Sequence, residues 1–342
     1  MDDATHQTEH NTGLTSAEMG TLWSQYISDK MVICILSYFL EKIEDEQTKS
    51  VVAYALSLSL NQVKRIREIF NKENFPIPYG FTEQDVNKDA PRLFSDSLIL
   101  QYVKNMSILG MASTSVAVGI TTRSDVNEFF TDCLASATKL NNWAKDLLLI
   151  KGLYVRPPFI PNPDHVDFVT KQHFLTGFLG DRRPLNAIEI THLFNNTQTN
   201  IIGRALLIGF TQVAESKEVR EILMRGVEMS KKHIELFSSL LIDENIPAAM
   251  TWDYGTTDST DAPFSDKLML FHTTALIAAG IGNYGAALAA SPRRDIGALY
   301  YRLFMEVAQY AEDCANMMIK NGWLEQPPLA PDYKALANQG DS

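Results

Sequence analysis

Few residues in this chain have the types and spacing to do chemistry. Gly280 to Gly285 read GIGNYG, the G-x-G-x-x-G spacing of a dinucleotide-binding turn. That turn needs a strand before it and a helix after it, so that the first amides of the helix meet the pyrophosphate. Here the motif lies inside an unbroken helical run, LMLFHTTALIAAGIGNYGAALAA. It reads as a seam of small side chains that lets neighbouring helices approach closely. The run is also apolar enough to suggest a membrane span, but the equivalent helix of an earlier copy carries Gln101, Lys104 and Asn105, which argues against that.

Metal chemistry is the second candidate. A di-metal helical bundle takes inward carboxylates from two helices and an E-x-x-H from each of the other two, because i and i+3 share a helix face. The expected positions read Ser59 to Gln62 and Ser230 to His233. Arg302, Glu306, Gln309 and Asp313 read as a solvated stripe beside a buried one of Leu303, Val307, Tyr310 and Cys314. Glu189 to His192 is a true E-x-x-H, but Glu189 is claimed by a helix cap. The remaining metal candidates are His233 and His272. Their places on parallel helices differ in height by about 14 Å, too far to share one ion ligated at about 2 Å. Both are therefore expected to be core histidines, and no metal site, cofactor, cofactor-binding residue or catalytic residue is expected.

The bulk composition narrows the partners. The 342 residues are 45% hydrophobic and 21% charged, with a net charge of −11. An acidic surface repels phosphate backbones and anionic lipid, so nucleic acid and membranes are not expected partners, whereas another protein or self-association is open. Cys34, Cys133 and Cys314 lie far apart in apolar surroundings and read as buried thiols in a reducing compartment, hence the cytoplasm. The N-terminus, MDDATHQTEHNTG, has no apolar stretch and reads as a disordered tail.

These candidates must be held by repeated elements. LTSAEMGTLW from Leu14 aligns with LNAIEITHLF from Leu185, LFSDSLIL from Leu93 with PFSDKLML from Pro263, and GLYVRPPFIPNP from Gly152 with GWLEQPPLAPDY from Gly322. The offset is 171 early and 170 late, which indicates a tandem duplication with one residue lost. Each copy reads as four helices, in the first from Thr15 to Ile43, Glu46 to Lys72, Ser95 to Ile120 and Ser124 to Leu149. Thr15 with Glu18 and Asn186 with Glu189 fit capping boxes, and Asp45, Ser124 and Ser216 mark further starts. Gly152 and Gly322 followed by Pro-Pro pairs mark ends. Connections run short, long, short, the pattern of a bundle with one crossover. The expected fold is all-α: two tandem ferritin-like four-helix bundles, each with a long crossover between its second and third helices. The expected division is a tail over 1–13, bundles over 14–170 and 171–335, and a tail over 336–342. Both bundle centres are expected to be apolar and poor in ligands.

DRRPLNAIEITHLFNN from Asp181, the paired ENFP and ENIP corners and the repeated PP ends resemble a family of duplicated ferritin-like bundles from spore-forming Firmicutes, similar to spore coat protein F. The resemblance covers about Leu14 to Pro331. It implies a sporulation or coat-associated role and supplies no metal ligands at matching positions. The functional expectation is a non-enzymatic structural or interaction protein, in the cytoplasm or spore coat. The alternative is an atypical metal- or small-ligand-binding redox bundle.

Overall fold

Apolar residues at helical spacing produce eight long helices whose lengths repeat, 27, 27, 25 and 27 residues in each half. They are α1 (Ser16–Lys42), α2 (Glu46–Lys72), α3 (Asp96–Ile120), α4 (Ser124–Ile150), α5 (Ala187–Val213), α6 (Lys217–Asp243), α7 (Asp266–Ala290) and α8 (Arg294–Lys320). The structure, a computed structural model, describes residues 13–178, 182–248 and 255–333. Both predicted tails fall largely outside those residues, as does Asp181. Among the described residues there is no strand, and extended pairing is limited to two isolated bridges. The chain is all-α, with two tandem four-helix bundles. Ser16 matches Ala187 and Asp96 matches Asp266, so the lost residue falls in the crossover between α6 and α7.

The helix ends explain the repeated landmarks. Thr15–Glu18 and Asn186–Glu189 form complete capping boxes, and Asp45 and Ser216 cap α2 and α6. Ser124 does not cap α4, contrary to expectation. The cap residue is Arg123, whose side chain makes no cap hydrogen bond. Instead the Thr122 and Arg123 amides donate to Glu18 on α1, at 3.0 and 2.8 Å. Glu189 accepts from the Arg293 amide in the same way. One carboxylate thus serves two helix starts, which also suits the positive end of each helix dipole. Burial works against the charge on Glu18, but these backbone donors bring its pKa down to about 2. The ENFP and ENIP corners turn on Asn74 and Asn245, both at positive φ, where asparagine is tolerated better than most residues.

The two bundles are joined by their crossovers. Asn87 N–H donates to Pro263 O and Thr257 N–H to Leu93 O; Ser265 N–H donates to Asp85 O and Ser95 N–H to Gly255 O. Each bond has a counterpart displaced by 170 residues, so the joint has the isologous pattern of a two-fold interface. Around it Phe39 packs on Phe94, Tyr102 and Phe264, while Phe210 packs on Phe264, His272 and Phe94. One continuous core runs from the first bundle through α5 to the start of α7.

The expectation for GIGNYG needs correction. The motif does lie within α7, but a Cβ at Gly280, Gly282 or Gly285 would meet no neighbouring atom within 4 Å. Close helix approach does not require these glycines. The space beside Gly282 belongs to the site described next. By length and composition α7 could cross a membrane, the one such helix among the described residues. In this fold it packs instead against α5 and α8.

Candidate functional site

Packing four helices fills a bundle only if their facing side chains are large enough. On α1 the residues facing inward near its start are small: Ala17, Gly20, Thr21, Ser24 and Ser28. The facing stretch of α3 carries Gly110, Ala112, Ser113 and Ala117. These helices cannot close on each other, and a cavity of about 1190 Å³ results. Its outer wall is α7 of the second bundle, through Ala275, Ala278 and Gly282. Ser24, Ala112, Ala278 and Gly282 are exposed and form the mouth. Leu140 on α4 and Ala55 on α2 lie at the buried end.

The deep wall holds one charged side chain. Asp29 on α1 is 3% exposed and lines the cavity. Gln25, one turn earlier, donates to its Oδ2 at 2.9 Å. The Gln62 amide on α2, in the orientation that satisfies its neighbours, donates to both Asp29 oxygens at 3.0 Å. Ser59 donates as well. All these partners are neutral. Among the described residues no ion pair includes Asp29. Burial therefore pushes its carboxyl up to about 7, against the pull of those hydrogen bonds. The centre of the first bundle, expected from the sequence to be apolar, thus carries one buried carboxyl group.

The second bundle presents the same positions with different residues. Asn196, Asn200, Ser230 and His233 stand where the first has Gln25, Asp29, Ser59 and Gln62, and all four line a cavity of about 70 Å³. Two tyrosines, Tyr284 and Tyr310, are larger than their counterparts and line the small cavity, whereas Tyr300 adds only a hydroxyl. Tyr284, Tyr300 and Tyr310 replace Thr114, Phe130 and Leu140. Asn200 donates to the Tyr284 hydroxyl at 2.9 Å, and His233 Nδ1 lies 2.9 Å from the same oxygen. Tyr310 donates to Ile222 O, and its ring end reaches Gly226, where a Cβ would lie 2.5 Å from the hydroxyl. The first bundle has Ala55 at that place, opposite the shorter Leu140. Leu109 and Ala279, equivalent residues, line both cavities and so separate them.

His233 and His272 are buried and lie in different surroundings. His272 Nε2 is 2.9 Å from the Tyr102 hydroxyl across the joint between bundles, and burial pushes its pKa down to about 4. Burial likewise depresses His233, against the Glu306 carboxylate 3.7 Å from its Nε2. Glu306 is half-buried and also pairs with Lys232 at 2.8 Å, so it is not simply part of a solvated stripe. Glu189 is engaged by Asn186, Arg183 and Arg293, which leaves it no part in a pair with His192. Among the described residues no three His, Cys, Asp or Glu side chains converge as a metal site would require. The three cysteines are buried and free, and burial lifts their thiols to about 11 or 12.

The geometry defines a duplicated all-helical protein with one hollow and one filled four-helix bundle. The chain belongs to the family described as protein of unknown function DUF3231, whose model matches it twice, over residues 2–166 and 173–336. A crystal structure of a "putative spore coat protein" from Bacillus halodurans C-125 is similar at 16% identity, over 44% of this chain and 98% of that one, with a TM-score of 0.41. No curated protein matches.

Asp29 was not visible as a site residue in the sequence, because a lone carboxylate in a polar stretch such as SQYISDK reads as solvated. The signal that could have found it is the repeat itself. Gln25 and Asp29 share one helix face, and Asn196 and Asn200 are polar at the same two places in the other copy.

Proposed function

We propose that this protein binds an elongated, mainly apolar small molecule in its first bundle, while the second bundle is a closed structural partner. One observation carries the reading: equivalent positions enclose about 1190 Å³ in one bundle and about 70 Å³ in the other. The larger space is of the order that drug-sized ligands occupy, roughly 300–1,000 Å³, and its lining is mainly apolar with a few convergent polar groups. It opens to solvent at one end, which gives a route of entry. The role is one of holding a ligand, in line with a non-enzymatic interaction protein.

The sporulation setting rests on the sequence resemblance alone, and a fluorescent fusion followed through sporulation checks it. The binding reading is tested by titrating the full chain with a neutral apolar dye such as N-phenylnaphthylamine. One dye per chain is expected, with fluorescence enhancement abolished in Gly282→Trp. A Cβ at Gly282 meets nothing within 4 Å, so the new side chain starts into open space at the mouth, and circular dichroism checks that the variant keeps its fold. Absence of enhancement in the unaltered protein overturns the reading.

A further inference from the structure

Resting on that reading, we infer that the ligand of the first bundle carries a protonated primary amine at one end of an apolar body, and that Asp29 receives it. The carboxylate is buried, faces the cavity, and has no charge opposite it. A buried carboxylate left with neutral partners is costly, and a cation at hydrogen-bond distance is the group that offsets that cost best.

Three independent features point the same way. The first is composition: among the described residues lining the cavity, Asp29 is the sole acidic side chain, and none is lysine, arginine or histidine. An anionic head would oppose ionisation of this lone acid, and a neutral head would leave it protonated. The second is donor geometry. An ammonium offers three donors and no acceptor, and the cavity wall beside Asp29 carries Ser59, Gln25 and Gln62, each with an oxygen able to accept. Both glutamines now spend their amide donors on Asp29 and can turn their oxygens inward when a cation arrives.

The third feature is the internal control. Where the cavity is filled, the acid is gone: Asn200 occupies the place of Asp29 and hydrogen-bonds to Tyr284. Acid and open space occur together in one bundle and are absent together from the other. Among the other buried carboxylates, Glu18 accepts three backbone amides, Asp85 accepts from the Thr82 amide and the Ser265 hydroxyl, and Glu189 is paired with Arg183 at 2.7 Å. Of the four, Asp29 is the one that lines the large cavity.

The groups around Asp29 from the other helices do not compete for the role. Cys133 on α4 has its thiol lifted to about 12 by burial and by the charge of Asp29, and Tyr102 on α3, also raised by burial, is engaged with His272. Ser59 and Gln62 on α2 and Gln25 on α1 are neutral. Asp29 is therefore the group that changes charge when an amine enters. In the empty cavity it holds a proton at slightly acid pH. An entering ammonium stabilises the carboxylate, and the displaced proton leaves to solvent.

The test is displacement of bound N-phenylnaphthylamine from the full chain by decylamine, decanol and decanoate, three ligands that share one tail. Decylamine is expected to displace the dye at a concentration at least ~10-fold lower than decanol, a difference of about 1.4 kcal/mol, with decanoate weakest. In Asp29→Asn the amine should lose that advantage and match the alcohol, while dye binding persists. Asparagine is tolerated at this place in the second bundle, so the variant should fold; circular dichroism checks it. Calorimetry near pH 6.5 should show proton release with decylamine and none with decanol.

The outcomes separate the two claims. If the dye binds and Gly282→Trp abolishes it, but the amine is no better than the alcohol or Asp29→Asn changes nothing, the amine inference fails and the cavity reading stands. Decanoate as the tightest ligand also overturns the inference. If no dye and none of the three ligands binds, the cavity reading itself fails.

Discussion

The two bundles share their helix lengths, caps and joint, yet one centre is hollow and acidic whereas the other is filled and neutral. The difference lies in a handful of side chains. Tyr284, Tyr300 and Tyr310 occupy the second centre, where the Tyr284 hydroxyl meets Asn200 and His233 Nδ1, that of Tyr300 meets Asn196 and that of Tyr310 the backbone of α6. In the first, Thr114 and Leu140 are too short to do this, and Asp29 faces open space. The helix-end clasps and the aromatic joint are common to the frame whichever content the centre has.

The joint gives the sharpest way to break the comparison. Phe264 comes from the second bundle but packs on Tyr38 and Phe39 of the first. Phe264→Ala should cost about 3–5 kcal/mol in equilibrium denaturation. It should also destabilise both halves together, seen as one transition moving as a whole. Two separated transitions with only one shifted would show that the joint does not couple them.

Converting the filled bundle to the hollow one comes next. Tyr284→Thr removes a buried ring and leaves His233 and Asn200 without its hydroxyl, so a loss on the order of 3 kcal/mol is expected. The variant should also bind a second molecule of apolar dye per chain, read by titration. Unchanged stoichiometry would show that the tyrosine is not what closes this centre.

The acid gives a smaller, pH-dependent effect. In the unfolded chain the Asp29 proton leaves near 3.8, whereas burial holds it up to about 7 in the fold. Between those values the folded state binds more protons than the unfolded one, so stability falls as pH rises, and the cost is complete above about 7. Asp29→Asn should therefore stabilise the unliganded protein by on the order of 2 kcal/mol above pH 7 and by almost nothing at pH 4. Denaturant midpoints at the two pH values check it. A gain equal at both would show that charge burial is not the cause.

The smallest effect concerns the motif that first drew attention. Gly280 is helical with open space where its Cβ would be. Gly280→Ala should stabilise α7 by about 0.5–1 kcal/mol, because alanine loses less backbone freedom on folding. Destabilisation instead would restore the close-packing role that the structure denies.

How far these features could be read from the letters depends on their range. Caps, helix spans and corner residues are local, and Thr15–Glu18, Asn186–Glu189 and the Pro-Pro ends announced them within a residue or so. The start of α4 at Ser124 is legible, but not what satisfies it, because the accepting Glu18 is 104 residues away. The hollow centre was missed for a related reason. Whether Ala17, Gly20 and Ser24 pack tightly or leave a gap depends on what α3 and α7 place opposite, and periodicity does not encode that. His272 could be read as buried, but not that its partner would be Tyr102, its own counterpart in the other repeat.

The ladder between the crossovers has one more consequence. A polypeptide with a single repeat could build the same eight-helix body by pairing with an identical molecule, since every bond in the ladder is matched by its symmetry mate. Such a pair would be bound to carry the same interior twice, because one set of codons writes both. Joining the repeats end to end frees each interior to change alone, so that one can specialise as a receptacle while its twin becomes ballast that keeps the shared wall in place.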